Sequence, residues 1–158
     1  MAMRFSAGLL LFRRSAGLQV LLGHMGGPMW ARKDLGAWSI PKGEYDPDGE
    51  SIEAAAAREF TEELGIEVPG GTWLPLGSVE YGSGRSRKQV TAWAIEADLD
   101  PDAVVPGTFE LEWPPRSGRI QEFPEIDRAA WWDTDTAHDK LSTGQRPFLA
   151  RLTELIAP

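Results

Sequence analysis

The segment REFTEELG, Arg58 to Gly65, puts Glu59, Glu62 and Glu63 within five residues, beside a single arginine. Side chains three and four apart on a helix are neighbours, so these carboxylates would crowd one side of it. Glu59 and Glu63 form a like-charge i,i+4 pair, which by itself weakens a helix slightly. From Ser51 to Leu64 the charged residues are Glu53, Arg58, Glu59, Glu62 and Glu63, a net charge of −3. The carboxylates also fall in the C-terminal half, where the helix dipole disfavours negative charge. Arg58 can reach Glu62 at i,i+4 and relieves part of this. A bound divalent cation would relieve the rest. Carboxylates with open positions suit Mg2+ or Mn2+, which take hard oxygen ligands and keep waters. A solvated acidic face is the plain alternative for two adjacent glutamates, but it leaves the upstream residues unexplained.

Those upstream residues are PKGEYDPDGE, Pro41 to Glu50. Gly43 is followed by six residues, Glu50, seven residues, and then Arg58-Glu59-Phe60-Thr61-Glu62-Glu63-Leu64-Gly65-Ile66. This resembles the Nudix box: Gly, five residues, Glu, seven residues, Arg-Glu-apolar-any-Glu-Glu-any-Gly-apolar. The second half matches at every fixed position. The first half carries one extra residue between Gly43 and Glu50, of a kind that loops absorb readily.

The resemblance implies a fold: an α/β (α+β) sandwich of αβα type, with a mixed sheet, the box helix and a C-terminal helix. It also implies an activity, metal-dependent hydrolysis of a nucleoside diphosphate linked to another moiety. Carried over, Glu59, Glu62 and Glu63 would hold Mg2+ or Mn2+, with the Gly43 carbonyl as a further ligand. Arg58 would orient the carboxylates through ion pairs, and Glu50 would support it. Pyrophosphate repels an incoming hydroxide; divalent metals offset that charge and acidify a water. A carboxylate then takes the proton. Either a box glutamate such as Glu62 does this, or a glutamate on a loop before a strand with a Trp-apolar pair. The pair here is Trp131-Trp132, and Glu125 is preferred over Glu122 upstream of it. Both are equally well read as exposed loop carboxylates.

Lys42 precedes Gly43 and is placed to meet a phosphate oxygen. Arg85, Arg87 and Lys88 form the densest positive patch and invite a polyphosphate, although such a turn also serves solubility. Arg116 and Arg119 lie in a Pro-rich loop and invite the same guess. Trp30, Trp38 or Trp113 could stack on a base, with Trp38 better read as core. His24 and His138 lack metal-ligand spacing and read as structural or exposed. The run WSIPKGEY resembles the WxxPKG segment of family members acting on dinucleoside polyphosphates and diphosphoinositol polyphosphates. It points toward Ap4A-like substrates and leaves ADP-ribose, other nucleotide sugars and nucleoside triphosphates open. A Nudix-fold binding module without catalysis is the rival from another class; such modules lose box residues that this chain keeps.

The elements that must position these groups are legible in outline. The first ~25 residues read as a hairpin, with AGLLLF as a buried strand. Gly26 to Glu50 reads as a long functional loop with a short strand at AWSIP. Ser51 is the expected N-cap of a helix to Leu64, with Ile52, Ala56, Phe60 and Leu64 on its apolar face and Gly65 as its stop. Strands are expected at TWLPLGSVEYG, with Pro75 marking an edge or a bulge, and at KQVTAWAIEADL. EWPPRSGRIQEFPEIDR reads as irregular, ending in a short strand at Ala130 to Asp133. A helix from Arg146 to Ile156 should bury Phe148, Leu149, Leu152, Leu155 and Ile156.

Composition narrows the function classes. The chain has 158 residues, the length of one domain spanning 1–158. A net charge of −8 argues against general nucleic-acid binding and an anionic membrane surface. With no cysteine, disulfides, thiolate metal sites and cysteine nucleophiles are excluded, which suits a cytoplasmic protein. No stretch approaches the ~20 apolar residues of a membrane-spanning helix, and AGLLLF is too short for a signal-peptide core. The expected partner is a small nucleotide substrate. The resemblance also allows a homodimer, since many relatives dimerise.

Overall fold

The computed structural model describes residues 3–157. β1 (Arg4–Arg13) and β2 (Gln19–Met25) form the expected hairpin, but they pair only at its turn end, Phe12 with Val20 and Arg13 with Gln19. Beyond that point the two strands take different partners. β3 (Trp38–Ser39), the short strand expected at AWSIP, joins β2. β4 (Lys42–Glu44) lies antiparallel to the start of β1, pairing Ser6 with Glu44 and Gly8 with Lys42. Gly8 permits this crossing, because a Cβ there would lie 2.6 Å from the Lys42 Cβ.

β5 (Leu74–Tyr81) and β6 (Lys88–Glu96) are antiparallel, and β6 runs parallel to β1 from Arg4–Lys88 to Phe12–Glu96. The path through the sheet is β3-β2-β1-β6-β5. β5 is an edge strand with a register shift between Pro75 and Gly77, as the proline foretold.

The unbroken apolar run of β1 follows from burial on both faces. Ala7, Leu9 and Leu11 pack with Ala55, Ala56, Phe60 and Leu64 of α1 (Ile52–Leu64). Leu10 and Phe12 pack on the other face with α2 (Thr134–Lys140) and α3 (Pro147–Ile156), through Ala137, Phe148, Leu149 and Leu152. The result is the expected αβα sandwich. Leu155 departs from its expected place on the buried face and is 49% exposed.

The Pro-rich segment corrects the sequence reading. Rather than irregular, it supplies the turn and second strand of a hairpin of β7 (Thr108–Glu112) and β8 (Ile120–Pro124), a two-stranded sheet apart from the main one. Thr-Phe-Glu-Leu-Glu alternates and Phe109 pairs with Phe123 across the ladder, but Ile-Gln-Glu-Phe-Pro does not alternate, and Leu111 faces Gln121. Pro114 and Pro115 are confined to the turn, where Arg116 adopts φ 61°. β9 (Ile126–Asp133) begins four residues earlier than expected and pairs with β2 from Met25 to Gln19. The short α2 was not anticipated; Asp133 caps it by accepting from the Thr136 N–H. Among the described residues, no helix is long and apolar enough to cross a membrane.

Candidate active site

α1 is held at both ends by the residues expected. The Ser51 hydroxyl accepts from the Ala54 N–H at 3.2 Å, and Gly65, at φ 67°, donates its N–H to the Thr61 carbonyl. This presents Arg58, Glu59, Glu62 and Glu63 beside β4. Arg58 Nε and Nη2 reach the two oxygens of Glu50 at 2.9 and 2.8 Å, a fork-to-fork pair. Its Nη1 donates to Glu59 Oε1 at 2.8 Å and to Glu62 at 3.2 and 3.3 Å. Arg58 is thereby held charged, and the Glu50 carboxyl is held below its ordinary range, first by its hydrogen bonds to Arg58. Just before Glu50 the chain turns, with the Gly49 and Glu50 N–H groups donating to the Asp46 carbonyl.

Gly43 faces Glu59 so closely that a Cβ would lie 1.9 Å from Glu59 Oε2. Glycine lets β4 run this near the carboxylate without displacing it. One residue earlier, the Lys42 N–H donates to Glu63 Oε2 at 3.2 Å. Burial pushes the Glu63 carboxyl up to about 8, against the pull of Lys42. Burial also raises Glu59, partly offset by Arg58.

These groups wall a cavity of about 600 Å³ lined by Lys42, Gly43, Glu59, Glu62, Glu63 and Glu125, with Glu44, Gly107 and Thr108 at its edge. Glu125 stands in the single-residue gap between β8 and β9. Its N–H donates to the Gly107 carbonyl at 2.8 Å, and its carbonyl accepts from the Gly26 N–H at 3.0 Å. Neither glycine has room for a side chain: a Cβ would lie 2.7 Å from the Glu62 carbonyl oxygen at Gly107, and 2.0 Å from that of Pro124 at Gly26. Glu122 lies elsewhere, in β8 opposite Glu110.

The basic candidates separate. Lys42 lines the cavity. Lys88 does not, but it is near enough to Lys42 to feel its charge; burial first, then Lys42, lowers its pKa. Arg87 also stays outside the lining and pairs with Glu80 at 3.1 Å. Trp38 is buried core, as expected, and Trp113 sits at the turn of the β7–β8 hairpin. His24 is structural: buried, with Nδ1 2.8 Å from Asp127 and Nε2 2.6 Å from the Lys33 carbonyl. His138 is exposed on α2.

A NUDIX domain profile matches residues 3–152. The chain belongs to the NUDIX family. Solved structures share its fold at low identity. A C. elegans Ap4A hydrolase binary complex is 22% identical, with a TM-score of 0.68 and 98% of each chain covered. The NUDIX domain of Shewanella oneidensis NrtR complexed with ADP ribose is 16% identical, with a TM-score of 0.65 over 99% of this chain and 90% of that one. A MutT protein from Methanosarcina mazei Go1 is 19% identical, with a TM-score of 0.65 over 99% and 96%.

Within this NUDIX fold, Glu44, Gly107 and Thr108 are cavity residues that sequence reasoning missed. Glu44 lay inside the quoted motif as a variable position. Gly107 precedes β7 and Thr108 opens it, in a stretch that the sequence reading left unassigned. Among the described residues, no three acidic or imidazole side chains are already gathered as a metal cluster. Arg58 instead occupies oxygens of Glu50, Glu59 and Glu62.

Proposed function

We propose that this NUDIX chain is a divalent-metal-dependent pyrophosphohydrolase acting on a nucleoside diphosphate linked to another moiety. The supporting observation is the convergence of Glu59, Glu62, Glu63 and the Gly43 backbone on one cavity, with Lys42 and Glu125 in its wall. The donor set fits Mg2+ or Mn2+: all are hard oxygens, and Glu59 and Glu63 carry raised pKa values that a nearby cation would lower. Glu59, Glu62, Glu63 and the Gly43 carbonyl would hold the metal, which supplies charge neutralisation of the pyrophosphate and a more acidic water.

The chain's own residues divide the remaining work. Arg58, anchored on Glu50, orients Glu59 and Glu62. Lys42 meets a phosphate oxygen as a point charge. Glu125 accepts a proton from the attacking water as its oxygen bonds to phosphorus and the bridging oxygen departs. Within this class an Ap4A-like dinucleoside polyphosphate is the first substrate to test, given the WSIPKGEY resemblance and the likeness to the C. elegans Ap4A hydrolase. ADP-ribose follows, given the likeness to the NrtR NUDIX domain.

The test is phosphate release from Ap4A, ADP-ribose, nucleotide sugars, nucleoside triphosphates and a diphosphoinositol polyphosphate, with Mg2+ or Mn2+ and then EDTA. Turnover of one class, abolished by EDTA, is expected. Silence across the set from folded, metal-bound protein would favour a ligand-binding module instead.

A further inference from the structure

Four polar residues are buried among the described residues, and two of them, Ser39 and Gln145, are partners. Gln145 ends the single-turn 3-10 helix Thr143–Gln145, between α2 and α3 and far along the chain from the box. Its Oε1 accepts from the Ile40 N–H at 3.0 Å, and its Nε2 donates to the Ser39 hydroxyl at 2.9 Å. That hydroxyl donates onward to the Ile40 carbonyl at 2.7 Å. Both polar groups of the Ile40 backbone are thus tied to Gln145, one directly and one through Ser39. Pro41 follows, its φ fixed by its ring and its carbonyl accepting from the Leu9 N–H at 3.1 Å. Next comes Lys42, whose N–H donates to Glu63 Oε2. We infer that Gln145 is a positioning residue of the phosphate site: it fixes Ile40 and, through the stiff Pro41, sets where Lys42 stands against the carboxylates.

β3 ends at Ser39, so the Ile40 N–H looks outside the ladder for a partner, as a buried N–H requires. A glutamine amide accepts and donates at once in one plane, so it fixes a direction as well as satisfying a bond. The turn that carries Gln145 is anchored to the same stretch of chain. The Ser142 N–H donates to the Trp38 carbonyl at 2.8 Å. Gly144 lies flat on Tyr81, where a Cβ would come 2.2 Å from the ring Cγ. The hydrogen-bonded chain also reaches the site wall, because Ser39 and Lys42 line one cavity of about 200 Å³ with Glu63 and Glu125.

This role rests on the pyrophosphohydrolase reading, in which Lys42 meets a phosphate oxygen. The experiment is calorimetry in Mg2+ with imidodiphosphate, a pyrophosphate analogue whose bridging nitrogen resists hydrolysis. Four proteins are compared: wild type, Gln145→Met, Lys42→Met and the double variant. Gln145→Met is expected to weaken binding about tenfold when Lys42 is present, the order of one charge-assisted hydrogen bond. In the Lys42→Met background, where the metal still holds the ligand, it should change affinity by less than about twofold, because its effect passes through Lys42. If Gln145→Met does not fold, Ser39→Ala takes its place in the same cycle; it removes one atom and breaks the link to the Ile40 carbonyl. Equal weakening in both backgrounds, or no weakening in either, would overturn the positioning role and leave the hydrolase reading standing. Failure of imidodiphosphate to bind folded, metal-loaded wild type would overturn the two together.

Discussion

Arg58 grips both oxygens of Glu50, through Nε and Nη2, and turns its remaining nitrogen, Nη1, to Glu59 and Glu62. A lysine would keep the charge but lose the fork. Arg58→Lys is therefore expected to lower kcat/KM by roughly 10–100-fold and to weaken apparent Mg2+ affinity, as loss of a ligand-orienting partner does. Steady-state kinetics across a Mg2+ series measures both. Wild-type values would remove Arg58 from the orienting role.

Glu62 separates chemistry from folding. Its side chain is 57% exposed, so Glu62→Gln should shift unfolding free energy by no more than about 0.5 kcal/mol. Turnover should nevertheless fall at least about a hundredfold if it holds metal or moves a proton. Thermal melts and rates on the same preparation decide it, and unchanged turnover would sink the metal assignment.

Glu125 and Glu122 are three residues apart, yet only Glu125 lines the cavity. Glu125→Gln should lower the rate by about 10²–10⁴-fold, as loss of a general base does, while Mg2+ affinity changes little. Glu122→Gln should behave as wild type. A Glu125→Gln enzyme that keeps the wild-type pH–rate profile would move the base to a box glutamate.

Glu63 makes the metal-free protein pH-sensitive. Its folded pKa of about 8 stands above the ordinary 4.5, so the folded state holds a proton that the unfolded chain releases. Between those values the folded state binds more protons, and stability falls as pH rises. The Tm of metal-free protein should drop from about pH 5 to about pH 8, and Mg2+ should restore most at the upper end. Glu63→Gln should flatten that slope. An equally steep slope in the variant would place its origin elsewhere.

Gly43 tests the close approach of β4 to α1. Gly43→Ala should push the Glu59 carboxylate aside, at little cost to stability because it is the end of a flexible side chain, and should weaken Mg2+ binding. Gly49→Ala is the control, since its Cβ would meet Asp46 at an ordinary 3.4 Å. Mg2+ titration of the pair tests the contrast, and equal affinities would mean that Glu59 is not displaced as a ligand.

Much of this site was legible because its signals are local. Ser51, the alanines, Gly65 and the glutamate spacing all act within one helix, where propensity and capping operate over a few residues. Non-local signals were harder. Arg87 and Lys88 read as one basic patch, but adjacent residues at a strand point to opposite sides, and only Lys88 leans toward Lys42. The β7–β8 hairpin was hidden because prolines dominate its turn and because β8, Ile-Gln-Glu-Phe-Pro, carries no alternating pattern. β4 has only three residues, too few for any periodic pattern. Its existence depends on Gly8, more than thirty positions away.

The β7–β8 arm begins and ends at one backbone hydrogen bond, from the Glu125 N–H to the Gly107 carbonyl. That link works like the clasp of a bracelet: residues 108–124 hang from it, with Thr108 beside it in the cavity wall. Glu125 is fixed on its other side by Gly26, so its place is independent of what the arm carries. An arm of different length beyond Thr108 would therefore leave both backbone bonds that hold Glu125 in place.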